Sequence, residues 1–262
     1  MKERVISAVV ALLITVPFVL LGGPYFRVLA FVLGILGLKE LMNLRSKVPN
    51  FIKYMVYLLF LVFMVEDFML LNTTFAININ LIILSIFVLF LPVIMLHDDN
   101  VYNMNDALFL FASLIFMFIS FNSFIIVRDE SLYILLYLLF VTSITDTFAY
   151  IGGSKYGKTK LIPSISPKKS VEGMIIGTFF GTLIPVVFYY FCVMKSNIFM
   201  LILVTLLLSL IGQFGDLVFS SIKRHYKIKD FSNLMPGHGG ILDRLDSSIF
   251  VILAYMIMHT FI

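Results

Sequence analysis

Between Ser220 and Ser248 the chain reads SSIKRHYKIKDFSNLMPGHGGILDRLDSS, with a long apolar run on either side. Five cations (Lys223, Arg224, Lys227, Lys229, Arg244) and three carboxylates (Asp230, Asp243, Asp246) surround a Gly-His-Gly-Gly turn. Apolar runs of spanning length on both sides make this segment a connection at a membrane surface. Charge on that scale between two spans is rare without a use for it. The mixture suits a site that binds phosphates and a divalent cation.

Composition agrees with that reading. The 262 residues are 61% hydrophobic and 13% charged, and the mean hydropathy is +1.05. An ordinary soluble domain is excluded, because there about a quarter of residues are charged. A β-barrel is disfavoured, since barrels show short alternating segments rather than long apolar runs. A single cysteine, Cys192, excludes an intrachain disulfide framework and a cysteine-based metal cluster.

The expected fold is all-α: a polytopic integral membrane protein of about nine transmembrane helices with a cytoplasmic N-terminus. Hydropathy predicts spans at 5–21, 25–44, 54–71, 75–96, 107–127, 132–152, 171–194, 198–222 and 245–262. Lys2 and Arg4 before the first span look like the start of a signal peptide. No small-x-small cleavage site follows, so an uncleaved first helix is expected. The second span is the weakest, because Lys39 and Glu40 interrupt it, and its lower part is expected to leave the membrane as a surface helix. Residues 1–130 form the N-terminal helices and 131–262 the C-terminal helices carrying the site, within one membrane domain.

Charge tests the map. With the N-terminus inside, all but three of the nineteen basic residues fall on the cytoplasmic side; Arg27, Arg128 and Lys195 are the exceptions. That is the bias of the positive-inside rule. The loops at 153–170 and 223–244 then share the cytoplasmic face. Asp146 and Asp216 lie near the cytoplasmic ends of the sixth and eighth spans, and Asp243 and Asp246 open the ninth. Three apart on a helix, the last two are neighbours on one face. Four carboxylates can thus converge at one depth.

Each group has a plain structural alternative. Asp243 and Asp246 can serve a helix N-terminus through its dipole, and Asp146 or Asp216 can stay wet at the interface. Carboxylates at matching depth favour a functional site, and oxygen ligands of this kind suit Mg²⁺ shared with substrate phosphates. Glycines in Pro236-Gly237-His238-Gly239-Gly240 let backbone N–H groups approach an anion, or simply allow a tight re-entry into the ninth helix. His238 is open to a phosphate, a base or a structural role. Spacing leaves Lys168 and Lys169 equally open as phosphate ligands or as an interfacial pair. The run GGSKYGKT at 152–159 fits the P-loop expression letter for letter. A P-loop must follow a strand and open a helix. Here the run follows a membrane helix and leads to Pro163 and Pro167, so it is read as a chance match.

Ser220, Ile222-Lys223-Arg224, Lys229-Asp230, Ser232, Pro236, His238-Gly239-Gly240-Ile241 and Asp243-Arg244-Leu245-Asp246 together resemble the signature of the phosphatidate cytidylyltransferases, or CDP-diacylglycerol synthases. Met235 departs from it, standing where the family carries a branched aliphatic residue or Phe. Asp146-Thr147-Phe148-Ala149-Tyr150 with Gly157-Lys158, and Ser166-Pro167-Lys168-Lys169-Ser170 with Glu172-Gly173, look like the same family. The likeness covers the second half of the chain; the first half agrees only in hydropathy. It implies transfer of the cytidylyl group of CTP to phosphatidate, giving CDP-diacylglycerol and diphosphate, with Mg²⁺ required. It also implies an all-helical membrane fold and a homodimer; the bias of basic residues is what places the active site at the cytoplasmic face of the cytoplasmic (inner) membrane. No nucleic-acid partner is expected.

The expected roles follow. Asp216, Asp243 and Asp246 hold metal, with Asp146 as a fourth candidate. Lys223, Arg224 and Arg244 serve catalysis, and Asp230 joins them on the strength of the signature. Lys168, Lys169, Lys229, His238, Gly239 and Gly240 hold substrate. A CTP-dependent lipid kinase and an ion-coupled transporter are the rival readings.

Overall fold

The computed structural model describes residues 2–70, 78–96, 98, 100–193, 197–237 and 239–261. His97, Lys195 and His238 fall outside them, as do the side chains of Lys2, Arg4 and Asp67. The described helices are α1 (Lys2–Leu21), α2 (Gly23–Asn43), α3 (Asn50–Leu70), α4 (Ile79–Leu96), α5 (Met104–Glu130), α6 (Leu132–Tyr156), α7 (Val171–Cys192), α8 (Ile198–His225) and α9 (Leu242–Met258). A 3₁₀ turn, His259–Phe261, extends α9. Six of these, α4 to α8 and α9 with its extension, are long and apolar enough to cross a membrane. Val9–Leu21 within α1 is a shorter apolar stretch. The protein is therefore an all-α membrane protein, as hydropathy predicts.

The loop at 153–170 departs from the irregular connection expected. It contains an antiparallel hairpin of β1 (Lys160–Ile162) and β2 (Ser166–Ser170). Strand propensity does not explain it, for Ser-Pro-Lys-Lys-Ser is poor strand sequence. Its two ends are fixed instead. Gly157 ends α6 by donating its N–H to the Gly153 carbonyl at 3.1 Å. Ser170 closes β2 and also caps α7, its hydroxyl accepting from the Gly173 N–H at 3.2 Å.

The chain divides into two compact units: Met1–Asp129 with Phe231–Ile241, and Glu130–Asp230 with Leu242–Ile262. In the first, Leu38, Met42, Ile52, Phe60, Leu110, Leu114 and Phe121 are fully buried. Two of the basic residues that break the charge bias have structural work there. Arg128 donates to the Val19 and Leu20 carbonyls that end α1 (2.6 and 3.0 Å), a cation at a helix C-terminus. Arg27 pairs with Asp129 at 2.7 Å. The lower end of α2 packs against protein. Gly37, Leu38, Glu40, Leu41 and Met42 are all buried, because Glu40 is surrounded by hydrogen-bond donors.

In the second unit, α6 and α7 meet through a ladder of small residues. Gly173, Gly177 and Gly181 recur every fourth position, so they form one stripe of α7. A Cβ at Gly177 would lie 2.7 Å from Ala149 Cβ and 2.8 Å from the Thr145 carbonyl. Close backbone approach through small residues replaces the hydrophobic driving force that helices in lipid lack. Polar pairs set the registers: Tyr137 with Thr205 at 2.7 Å, Thr145 with Ser209 at 2.8 Å, and Gln213 donating to Thr178 Oγ1 at 2.8 Å. Ser248 reaches Thr142 at 3.4 Å. Each such bond contributes about 0.6 kcal/mol. Their larger effect is to fix the heights of Asp146, which follows Thr145, and of Asp246, two residues before Ser248.

Candidate active site

Within the second unit the carboxylates come from three helices. Asp146 on α6, Asp216 on α8 and Asp246 on α9 lie in one another's electrostatic field. Lys169 reaches in from β2, its Nζ 2.5 Å from Asp216 Oδ2 and also in the field of Asp146. Alternation along the strand turns Lys168 the other way, and it is exposed. The capping of α7 by Ser170 holds Lys169 one residue from a helix start. Ser220, one turn on from Asp216, donates to its Oδ1 at 3.2 Å.

Asp243 takes a different partner. Its Oδ1 accepts from Lys223 Nζ at 2.7 Å, and both side chains are nearly buried, 4% and 11% exposed. Asp243 and Asp246 sit on one helix as expected, but a lysine holds the first of them. Among the described residues no three acidic, histidine or cysteine side chains converge closely enough to enclose a metal ion. The donors still suit Mg²⁺ chemically. They are hard oxygens, and the two lysines beside them, Lys169 and Lys223, offset their charge.

The remaining cations sit at this end of the unit. Arg224 donates from Nε to the Ile165 carbonyl and from Nη1 to the Ile228 carbonyl, both at 3.2 Å. It therefore joins the hairpin to the segment after α8, and places Lys168 and Lys229 at the same end of the helices. Lys229, Asp230 and Arg244 are exposed. Lys227 ends α8 in the left-handed region, φ 55°, a position glycine usually takes.

The P-loop lookalike has the wrong context. Residues 152–156 are the last turn of α6, and Lys160 begins a strand, so the order is helix to strand. The backbone N–H groups of Lys158 and Thr159 donate to the Glu172 carboxylate at 3.1 and 3.0 Å. An internal carboxylate thus takes the place that a P-loop gives to a phosphate.

The glycine turn belongs to the first unit. Met235 and Gly239 exchange backbone hydrogen bonds of 3.0 and 3.1 Å, and Gly237 and Gly239 have φ 75° and 87°. Those values favour glycine, since other residues are strained there. Ser7 Oγ donates to the Pro236 carbonyl at 3.1 Å. Glu40 Oε1 accepts from Ser232 Oγ at 2.7 Å and from the Ile241 N–H at 2.9 Å. Hydropathy treats Glu40 as an interruption. The signal that could have found it is the rule already applied to Asp146, that an ionisable residue inside an apolar helix has a task.

Similarity to known proteins bears on identity. A family model described as the cytidylyltransferase family matches residues 2–262. Proteins called phosphatidate cytidylyltransferase are similar along almost their whole length. That of Staphylococcus haemolyticus is 37% identical over 257 residues, covering 96% of each chain. Those of Staphylococcus epidermidis and Staphylococcus aureus are 38% and 37% identical over 263 and 258 residues, again covering 96% of each chain. Similarity of that extent takes in the first half of the chain, where the signature residues are absent, and with it the chain belongs to the cytidylyltransferase family.

Proposed function

We propose that this protein transfers the cytidylyl group of CTP to phosphatidate, giving CDP-diacylglycerol and diphosphate. The observation that carries this reading is the cluster of Asp146, Asp216 and Asp246 with Lys169 and the Lys223–Asp243 pair, all at one end of membrane helices. Such a cluster meets a nucleotide from the water and a lipid phosphate from the leaflet.

The phosphate of phosphatidate is already an anion and needs little general-base help. One of its oxygens attacks the α-phosphorus of CTP and forms the new P–O bond. The bond from the α-phosphorus to the bridging oxygen breaks, and diphosphate leaves with that electron pair. The protein contributes position and charge neutralisation. Lys223, Arg224 and Arg244 offset charge on the leaving group, with Asp230 orienting one of them. Lys168, Lys169 and Lys229 bind phosphates, and His238, Gly239 and Gly240 join them in the substrate-binding set that the family signature implies. A bound Mg²⁺ would be held by Asp216, Asp243 and Asp246, with Asp146 as a fourth candidate, and would supply positive charge to the phosphate oxygens. On binding substrate, Lys169 and Lys223 exchange a carboxylate for a phosphate.

We further place the enzyme as a homodimer in the cytoplasmic (inner) membrane, with this end facing the cytoplasm. The bias of basic residues supports that orientation. Single cysteines at Lys168 and Lys229, in a Cys192→Ser background, are expected to react with an impermeant thiol reagent only in inverted vesicles or after permeabilisation. Labelling of either from outside intact cells overturns the orientation.

The rival readings have less support. A lipid kinase would transfer the γ-phosphoryl group, and the relatives carry the name of a cytidylyltransferase. A transporter places binding groups near the bilayer midplane, whereas here they gather at one end. Purified protein given labelled CTP and phosphatidate is expected to release diphosphate and a CDP-lipid. Release of CDP with a phosphorylated lipid would overturn the reading.

A further inference from the structure

Glu172 has no task in the reaction as set out above, yet its carboxylate is engaged on both oxygens within the second unit. It stands in the first turn of α7 and reaches back to the segment between α6 and β1. Its Oε2 accepts from the Lys158 N–H at 3.1 Å and from the Thr159 N–H at 3.2 Å, and its Oε1 accepts from the Thr159 N–H at 3.0 Å. Beside it, the Val171 N–H donates to the Thr159 carbonyl at 3.0 Å. The base of β1 is therefore pinned to the start of α7. The far end of the hairpin is tied separately, since Arg224 donates to the Ile165 carbonyl at 3.2 Å. A two-stranded hairpin is marginal in water on its own, and β1 has only three residues. External anchors keep it paired with β2, Lys160 against Ser170 and Ile162 against Ser166. Pairing keeps β2 extended, and extended backbone sends Lys168 and Lys169 to opposite faces. Lys169 Nζ then meets Asp216 at 2.5 Å.

We propose that Glu172 is a positioning residue that acts through Lys169. Its carboxylate anchors the base of β1, β1 holds β2 extended, and β2 presents Lys169 to Asp216 and to the phosphate that takes the place of Asp216. This rests on the function proposed above, in which Lys169 binds a substrate phosphate. A lysine on a frayed strand has to be ordered at each binding event, and ordering a long side chain weakens binding. The plain alternative is an acid that serves the start of α7 through the helix dipole. A clamp depends on reach and on an accepting oxygen, whereas a dipole partner depends on charge. The two therefore rank the substitutions at 172 in opposite orders.

With phosphatidate saturating, Glu172→Ala is expected to lower kcat/KM for CTP about tenfold. Its hydrogen bonds lie exposed to water, where each contributes little net stability, so the variant should melt near the wild type. One oxygen, Oε2, meets both N–H groups. The amide oxygen of Glu172→Gln can therefore keep both bonds, and kcat/KM should stay within about threefold of wild type. Glu172→Asp keeps the charge but is one methylene shorter, and it should lose more than Glu172→Gln. A dipole role gives the reverse order, with aspartate the better substitute. Coupling to Lys169 completes the test. In a Lys169→Ala background the tenfold loss from Glu172→Ala should shrink to about threefold or less. The full loss persisting without Lys169, or Glu172→Asp equal to or better than Glu172→Gln, overturns the proposal. If Glu172→Ala does not accumulate folded, the order of the Gln and Asp variants decides it alone. Active wild type with an unaltered Glu172→Ala overturns the clamp and leaves the functional reading standing. Wild-type protein that makes no CDP-diacylglycerol overturns both.

Discussion

Asp246→Asn is expected to lower turnover at least about a hundredfold at saturating Mg²⁺ and CTP, the scale of losing one preorganised charge at a reacting centre. Asparagine keeps the size and removes the charge. Asp246 shares its field with Asp216, Lys223 and Asp146, and its variant leaves no ion pair broken among the bonds described. Asp243→Asn should cost as much in turnover but for a mixed reason. Its partner Lys223 is nearly buried, and a buried pair that loses one member destabilises by about 3–5 kcal/mol. A thermal melt separates the two. Asp243→Asn should unfold well below the wild type, while Asp246→Asn should melt near it. Near-normal turnover in both variants sinks the assignment to metal and phosphate chemistry.

Gly181→Leu is expected to be the most damaging change away from the charged residues. A Cβ at Gly181 would overlap Thr145 Oγ1 and lie 2.9 Å from both Thr145 Cβ and Ser209 Oγ. Those two hydroxyls form the bond that joins α6 to α8. The side chain therefore breaks an interhelical hydrogen bond and forces two helices apart. Overpacking costs about 1–3 kcal/mol and occasionally more, and here the short Thr145 and Ser209 side chains have little room to turn aside. The unfolding midpoint in detergent should fall by roughly 6 °C or more. Gly181→Ala should fall less but still measurably. A midpoint within experimental error of the wild type would mean that the ladder does not hold α7 in place.

The helices were legible because a membrane span is written in composition, and the caps at Ser131, Ser170 and Asn197 mark three starts. The carboxylates were legible for a related reason, since Asp146 and Asp216 interrupt apolar runs. What was not legible depends on partners distant in sequence. Ser232 and Ile241 lie 192 and 201 residues from Glu40, so hydropathy registers the charge and misses the donors. The hairpin escaped because its strands carry no alternation, and its ends are set by Ser170 and Gly157 rather than by its own residues. Lys223 is drawn to Asp243 by geometry that spacing does not contain. The fourfold spacing of Gly173, Gly177 and Gly181 was present in plain view and reads, with hindsight of the packing, as a small-residue interface.

The chain crosses between its two units three times, after Asp129, after Asp230 and after Ile241. Connectivity of this kind limits how such a protein can be divided or exchanged. The second half carries almost every residue of the signature, yet it is not a transferable cassette. A gene fragment beginning near residue 130 would encode residues 231–241 without the helices they fold against. Recombination between relatives should therefore tolerate a junction near residue 130 only when both sides come from parents whose first five helices accept the same short loop.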